Sequence, residues 1–165
     1  MEDLKKNLIL RDAVIINKNF EGREEKPYNP AGSRNFTVLL DGETSARLIE
    51  DGWNVKVRQR DDGSSIGYLR VAVSFSNPSM LPKIVQVTER ANGTIKKTVL
   101  TENTIGNIDA SEIVDIKLEI RPRVWSNNNG SVGGIKAYLK TMYFTLVKDV
   151  FEDDYPDDGD VPFEV

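Results

Sequence analysis

The chain has 165 residues with no cysteine and no histidine, and its 22 basic and 26 acidic side chains give a formal charge of −4. That composition excludes disulfides, zinc sites built on thiolate or imidazole, a cysteine nucleophile and any His-based triad. The length suits one domain with appendages, but the charge is divided unevenly: seven acids and no base fall in residues 150–165, which leaves 22 bases against 19 acids, a formal +3, in residues 1–149.

No apolar run approaches the ~20 residues of a membrane span. The opening Met-Glu-Asp-Leu-Lys-Lys lacks the apolar core of a signal peptide. A soluble protein of the cytoplasm is the expectation, and the lack of cysteine fits a reducing compartment.

Alternation of apolar and polar residues dominates the chain and predicts half-buried strands. Leu8 to Phe20 reads as a first long strand, and residues 21–33 as a charged loop holding Pro27 and Pro30. Arg34 to Leu40 reads as a strand. Glu43 to Asp51 reads as a short helix with apolar positions at Ala46, Leu48 and Ile49, ended by Gly52. From Trp53 to Arg58 the alternation puts Trp53, Val55 and Val57 on one side. After a polar loop over 60–65, Gly67 to Phe75 forms a strand with Leu69, Val71, Val73 and Phe75 on its apolar face, broken by Asn77-Pro78. Lys83–Glu89 and Thr94–Leu100 flank an Asn-Gly turn, a strong hairpin signal. Residues 101–111 read as a helical turn or loop. Ile113 to Trp125 and Gly134 to Lys148 are two long strands joined by a Gly/Asn-rich turn. Seven or eight strands with two short helical segments predict a barrel or sandwich.

The polar faces of these strands carry the functional signal. Lys56 and Arg58 share one face, Tyr68 and Arg70 another. Arg121, Arg123 and Trp125 stand opposite Ile116, Leu118 and Ile120, while Lys136, Tyr138 and Lys140 stand opposite Ile135, Ala137 and Leu139. A two-residue period lets one strand face offer cations to phosphates and flat rings to unpaired bases, with stacking worth ~1–3 kcal/mol per base. Duplex DNA hides its base faces, so this mixture points to single strands. Trp53 reads as core; Trp125, at a strand end beside the turn, suits either core or stacking.

The C-terminal arm is too acidic and too broken by proline to fold alone, which predicts a domain over 1–148 and a disordered tail over 149–165. A solubilising terminus would need no aromatics, yet Phe151, Tyr155 and Phe163 lie among acids that include Asp158 and Asp160. Such an arm can imitate single-stranded DNA on its own body, dock on a partner, or swap between subunits of a homodimer.

Asp158-Gly159-Asp160-Val161-Pro162-Phe163 resembles the acidic tip of bacterial single-stranded DNA-binding proteins. That tip stops at Phe, whereas here Glu164 and Val165 follow, which puts a dock on the terminal carboxylate in doubt. Arg34-Asn35-Phe36-Thr37-Val38, Gly52-Trp53-Asn54-Val55-Lys56 and the run from Gly134 to Tyr143, with Ile120-Arg121-Pro122 and the Trp125 hairpin, are similar to phage-encoded single-stranded DNA-binding proteins. The resemblance spans most of residues 34–147. It implies an all-β fold with minor α content, an OB-fold-like barrel elaborated by extra hairpins. It also implies non-catalytic coating of single-stranded DNA in phage replication or recombination, inside the host cell, with replication or recombination proteins as partners of the tail. No cofactor is implied.

Two other classes stand beside this reading: a β-rich phage structural or assembly protein with a solubilising tail, and a metal nuclease built on carboxylates. Asp61-Asp62 and Asp153-Asp154 are adjacent pairs, and neighbours on a strand point to opposite faces. No Lys follows Pro156-Asp157, no phosphate-binding glycine loop occurs, and Ser64-Ser65 has no His partner. No catalytic or metal-binding residue is therefore assigned.

Overall fold

A computed structural model of the chain describes residues 6–25, 29–89, 93–126, 128–130 and 132–146. The turn at 90–92 and the acidic arm, with Phe151, Tyr155, Asp158, Asp160 and Phe163, lie outside the described residues. Within them are nine strands: β1 (Leu8–Leu10), β2 (Val14–Asn19), β3 (Arg34–Asp41), β4 (Val55–Gln59), β5 (Ser65–Val73), β6 (Lys83–Glu89), β7 (Ile95–Leu100), β8 (Ile113–Ser126) and β9 (Val132–Leu146). One helix, α1 (Gly42–Glu50), follows β3, and 3-10 segments occupy Pro78–Met80 and Ile105–Ala110.

The first long strand predicted from the sequence is bent in two. β1 pairs with β8 and β2 pairs with β3, both antiparallel. Between them Asp12 takes φ 54°, and the Ala13 N–H donates to the Ile116 carbonyl at 2.9 Å. A second kink comes at Asn17, φ 53°, where β2 carries one residue more than β3 between Ile16 and Asn19. The bend lets one segment serve two neighbours and closes a ring: β1/β2 to β3, β3 to β5, β5 to β9, β9 to β8, and β8 back to β1. The β5–β9 link is parallel and all others are antiparallel. This is the closed five-membered arrangement of an OB barrel. β4, pairing with β5, and the β6–β7 hairpin, pairing with β9, are additions to it.

The barrel interior is filled by alternate residues of every wall strand, among them Phe36, Val38, Leu69, Val71, Leu118, Ile120, Ala137 and Leu139. Phe20, just beyond β2, is fully buried and stacks on Phe36 with centroids 5.3 Å apart. Ile105 and Ile108 of the second 3-10 segment join this core. Asp109 ties that segment to the end of β2, its carboxylate accepting from the Phe20 N–H at 2.8 Å and the Glu21 N–H at 3.1 Å.

Helix α1 begins where Asp41 accepts the Thr44 N–H at 2.6 Å. It buries only Ser45 and Leu48; Ala46 and Ile49, expected as apolar contacts, are exposed. Val57 is likewise exposed, because β4 is paired on one edge only, to the part of β5 that β9 leaves free. Trp53 stands outside β4 in a parallel bridge to Ile135, and it is core, at 6% exposure.

Candidate nucleic-acid interface

Filling the barrel with one set of alternate residues leaves the other set on its outer wall. There β5 presents Arg70, Ala72 and then Ser74, β9 presents Lys136 and Tyr138, and β8 presents Arg121 and Arg123. Register brings them together: Ala72 and Arg121 both stand opposite Tyr138, and Arg123 stands opposite Lys136. A cleft of about 940 Å³ runs over this wall, with Asn35 and Arg70 at one side and Trp125, Lys136 and Tyr138 at the other. A second hollow of about 360 Å³, lined by Met80, Arg121 and Arg123, meets it at Tyr138, Ser74 and Ser76.

Tyr138 sits at the junction with cations from two strands against it. The Lys136 ammonium is 5.3 Å from its ring centroid and the Arg123 guanidinium 5.9 Å. Like charges directly opposite on neighbouring strands destabilise a sheet. The Arg123–Lys136 pair carries that cost, which a bound polyanion would relieve.

Trp125 is 48% exposed, and its seat is made by glycine. β9 has one extra residue opposite Trp125 and Ser126, and the indole lies along the Gly133-Gly134 backbone. A Cβ on Gly133 would run into the six-membered ring, and one on Gly134 would approach the indole Nε1 to 3.4 Å. The bare backbone therefore holds a flat ring at the mouth of the cleft.

Other residues anticipated from the sequence fall elsewhere. Lys56, Arg58 and Tyr68 lie on the same outer face but outside the cleft lining, two residues from Arg70 along β5. The Arg58 guanidinium is 5.9 Å from the Tyr68 ring centroid. Lys140 is the extra residue where β9 bulges between Leu139 and Thr141. Its ammonium is 3.4 Å from Glu119 Oε2. Glu119 has its carboxyl held below the usual range, first by the Asn7 amide donating at 3.0 Å and then by Lys140 and Thr141.

Simple alternation also passed over several residues. Asn29 is buried in the loop read as merely charged. Its Nδ2 donates to the carbonyls of Arg23 and Ser33 at 2.8 and 3.0 Å. Its Oδ1 accepts from the Asn35 amide at 2.8 Å and from the Arg70 guanidinium at 3.1 Å, so one side chain both ties the loop and aims a cleft cation. Arg34 lies at the cleft end, 3.1 Å from Glu102 and over the Phe75 ring at 5.6 Å. No periodicity marks Asn29; the Arg34–Phe75 pair follows from β3–β5 register.

Among the described residues no group of acids could hold a metal ion, and no helix is long and apolar enough to cross a membrane. Asp62 is used in its turn, accepting the Ser64 N–H and hydroxyl at 2.9 and 2.6 Å.

No curated protein matches this sequence. The crystal structure of gp2.5, a single-stranded DNA binding protein encoded by bacteriophage T7, aligns with 95% of this chain and 100% of that one, at 12% identity and a TM-score of 0.33. A family model described as "Putative phage ssDNA-binding domain" matches residues 2–164. Matched over nearly its whole length, the chain belongs to this family of phage single-stranded DNA-binding domains.

Proposed function

We propose that the protein binds and protects single-stranded DNA, without catalysis and with little sequence preference, during phage replication or recombination in the host cytoplasm. The observation that carries this reading is the cleft on the outer barrel wall, where the rings of Tyr138 and Trp125 lie among the cations of three strands. Arg70, Arg121, Arg123 and Lys136 neutralise phosphates, and Tyr138 and Trp125 stack on bases. Lys56, Arg58 and Tyr68 continue the same face beyond the cleft. Lys140, shared with Glu119, adds less. Every base has a flat face, so stacking selects single strands without reading sequence.

The division proposed is a binding domain over 1–148 and an acidic tail over 149–165. In this reading the tail, through Phe151, Tyr155, Asp158, Asp160 and Phe163, competes with DNA or recruits replication or recombination proteins. A homodimer formed by exchange of tails is part of the same proposal.

Titration of fluorescent poly(dT) with increasing salt tests the core of it. The logarithm of affinity should fall linearly with the logarithm of salt, by about 0.7 per phosphate neutralised. Absence of binding at low salt, both for the full chain and for a chain ending at Lys148, would remove the proposal.

A further inference from the structure

Along β9 the outer face does not end at Tyr138. The extra residue at Lys140 shifts the alternation by one position, so Met142 and Phe144 turn into the core and Tyr143 turns out. Straight alternation from Lys136 would have done the reverse. Tyr143 lies in register between Lys117 of β8 and Val85 of β6. The Lys83 ammonium is 5.5 Å from its ring centroid. Lys117 has a 57% exposed side chain, with its ammonium 3.2 Å from Asp115.

This repeats, on the added hairpin's side of the barrel, the composition found around Tyr138. At ~3.3 Å per residue, Tyr143 stands ~15 Å from Tyr138 along the same strand. The hollow lined by Arg121 and Met80 borders Tyr138, and from Met80 the chain runs through Leu81 and Pro82 into Lys83. Glu119, an acid of β8 between Lys117 and Arg121, is occupied by Asn7 and Lys140.

We propose that Tyr143, with Lys83 and Lys117, forms a second stacking and phosphate contact for the same single strand, lengthening the footprint beyond the cleft. This inference rests on the proposed function. Its chemistry is that of a sheet face offering a ring flanked by cations.

Full-length protein and two oligothymidylates separate the possibilities. One is about 6 nucleotides long and the other about 20, near the lower end and beyond the upper end of the roughly 4–16 nucleotides held by one OB fold. Tyr143→Ala should weaken the long oligomer about fivefold to a hundredfold and leave the short one unchanged, while Tyr143→Phe binds both as the wild type does. Lys83→Ala, an exposed change, should lower the salt slope by about 0.7 for the long oligomer alone. Wild-type affinity for the long oligomer in both Tyr143→Ala and Lys83→Ala overturns the second contact while leaving the cleft intact. So does equal weakening of both lengths by Tyr143→Ala with no effect of Lys83→Ala, which marks a loss of fold. If the wild type binds neither oligomer, the reading of the cleft itself fails, and this inference with it.

Discussion

Tyr138 is the side chain on which the cleft turns, since both hollows share it and cations from two strands bear on its ring. Tyr138→Ala should weaken poly(dT) binding about fivefold to a hundredfold, and Tyr138→Phe should not. Its thermal midpoint should barely move, because the ring stands outside the barrel core; a binding loss that tracks a stability loss would contradict the assignment. The two tryptophans give a second reading. Trp125 is exposed and Trp53 buried, so single-stranded DNA should quench the intrinsic fluorescence of the wild type but not of Trp125→Phe. Much of this was legible in the chain: Arg70, Arg121, Arg123, Lys136 and Tyr138 follow from a two-residue period. Asn29 did not, because its role is to satisfy loop carbonyls and aim Arg70, and hydrogen bonds across a loop leave no period. Nor does a strict period show that Lys140 is the extra residue between Leu139 and Thr141, which brings Tyr143 onto the outer face.

At the level of elements, most strands run where alternation puts them, and the departures are bends. Leu8 to Phe20 is apolar enough to read as one strand, but a closed barrel needs one strand to serve two neighbours, and the positive φ angles at Asp12 and Asn17 make that turn. Which residue kinks is set by the neighbours it must reach, and a single sequence does not display them. The helix was legible from its apolar positions and from Gly52 at its end, whereas its N-cap, Asp41, is seen only in the structure. Asp41 has its carboxyl held below the usual range by the Thr44 N–H first and by the Thr44 side chain next. A depressed folded pKa means the stabilisation is complete above the ordinary carboxylate value of ~4 and is lost as pH falls through the folded one. Asp41→Asn keeps a cap but no charge. Its melting temperature should lie below that of the wild type at pH 7, and the gap should close below about pH 4. A gap that stays constant through the acid range would show that the charge contributes nothing.

For the whole molecule, the divided charge sets the expected behaviour. Truncation after Lys148 removes every acid of the arm and turns a chain of formal −4 positive. If the arm competes for the cleft, the truncated protein should bind poly(dT) more tightly, most of all at low salt where charges are least screened. Equal affinity with and without the arm would end the competition model and leave partner recruitment as its role. The barrel itself has one uneven joint. β8 and β9 pair along most of their length and β3 and β5 over eight positions, whereas β5 and β9 meet at only two, Val71 with Ala137 and Ala72 with Tyr138. The wall is thus two broad panels hinged along a short seam, and the cleft lies over that seam. A nucleic-acid strand held by Arg70 on one panel and Tyr138 on the other would act as a splint across it. Amide hydrogen exchange at Ala72 and Tyr138 should then slow on binding by more than exchange in the β8–β9 pairing, so that the ligand completes the wall on which it rests.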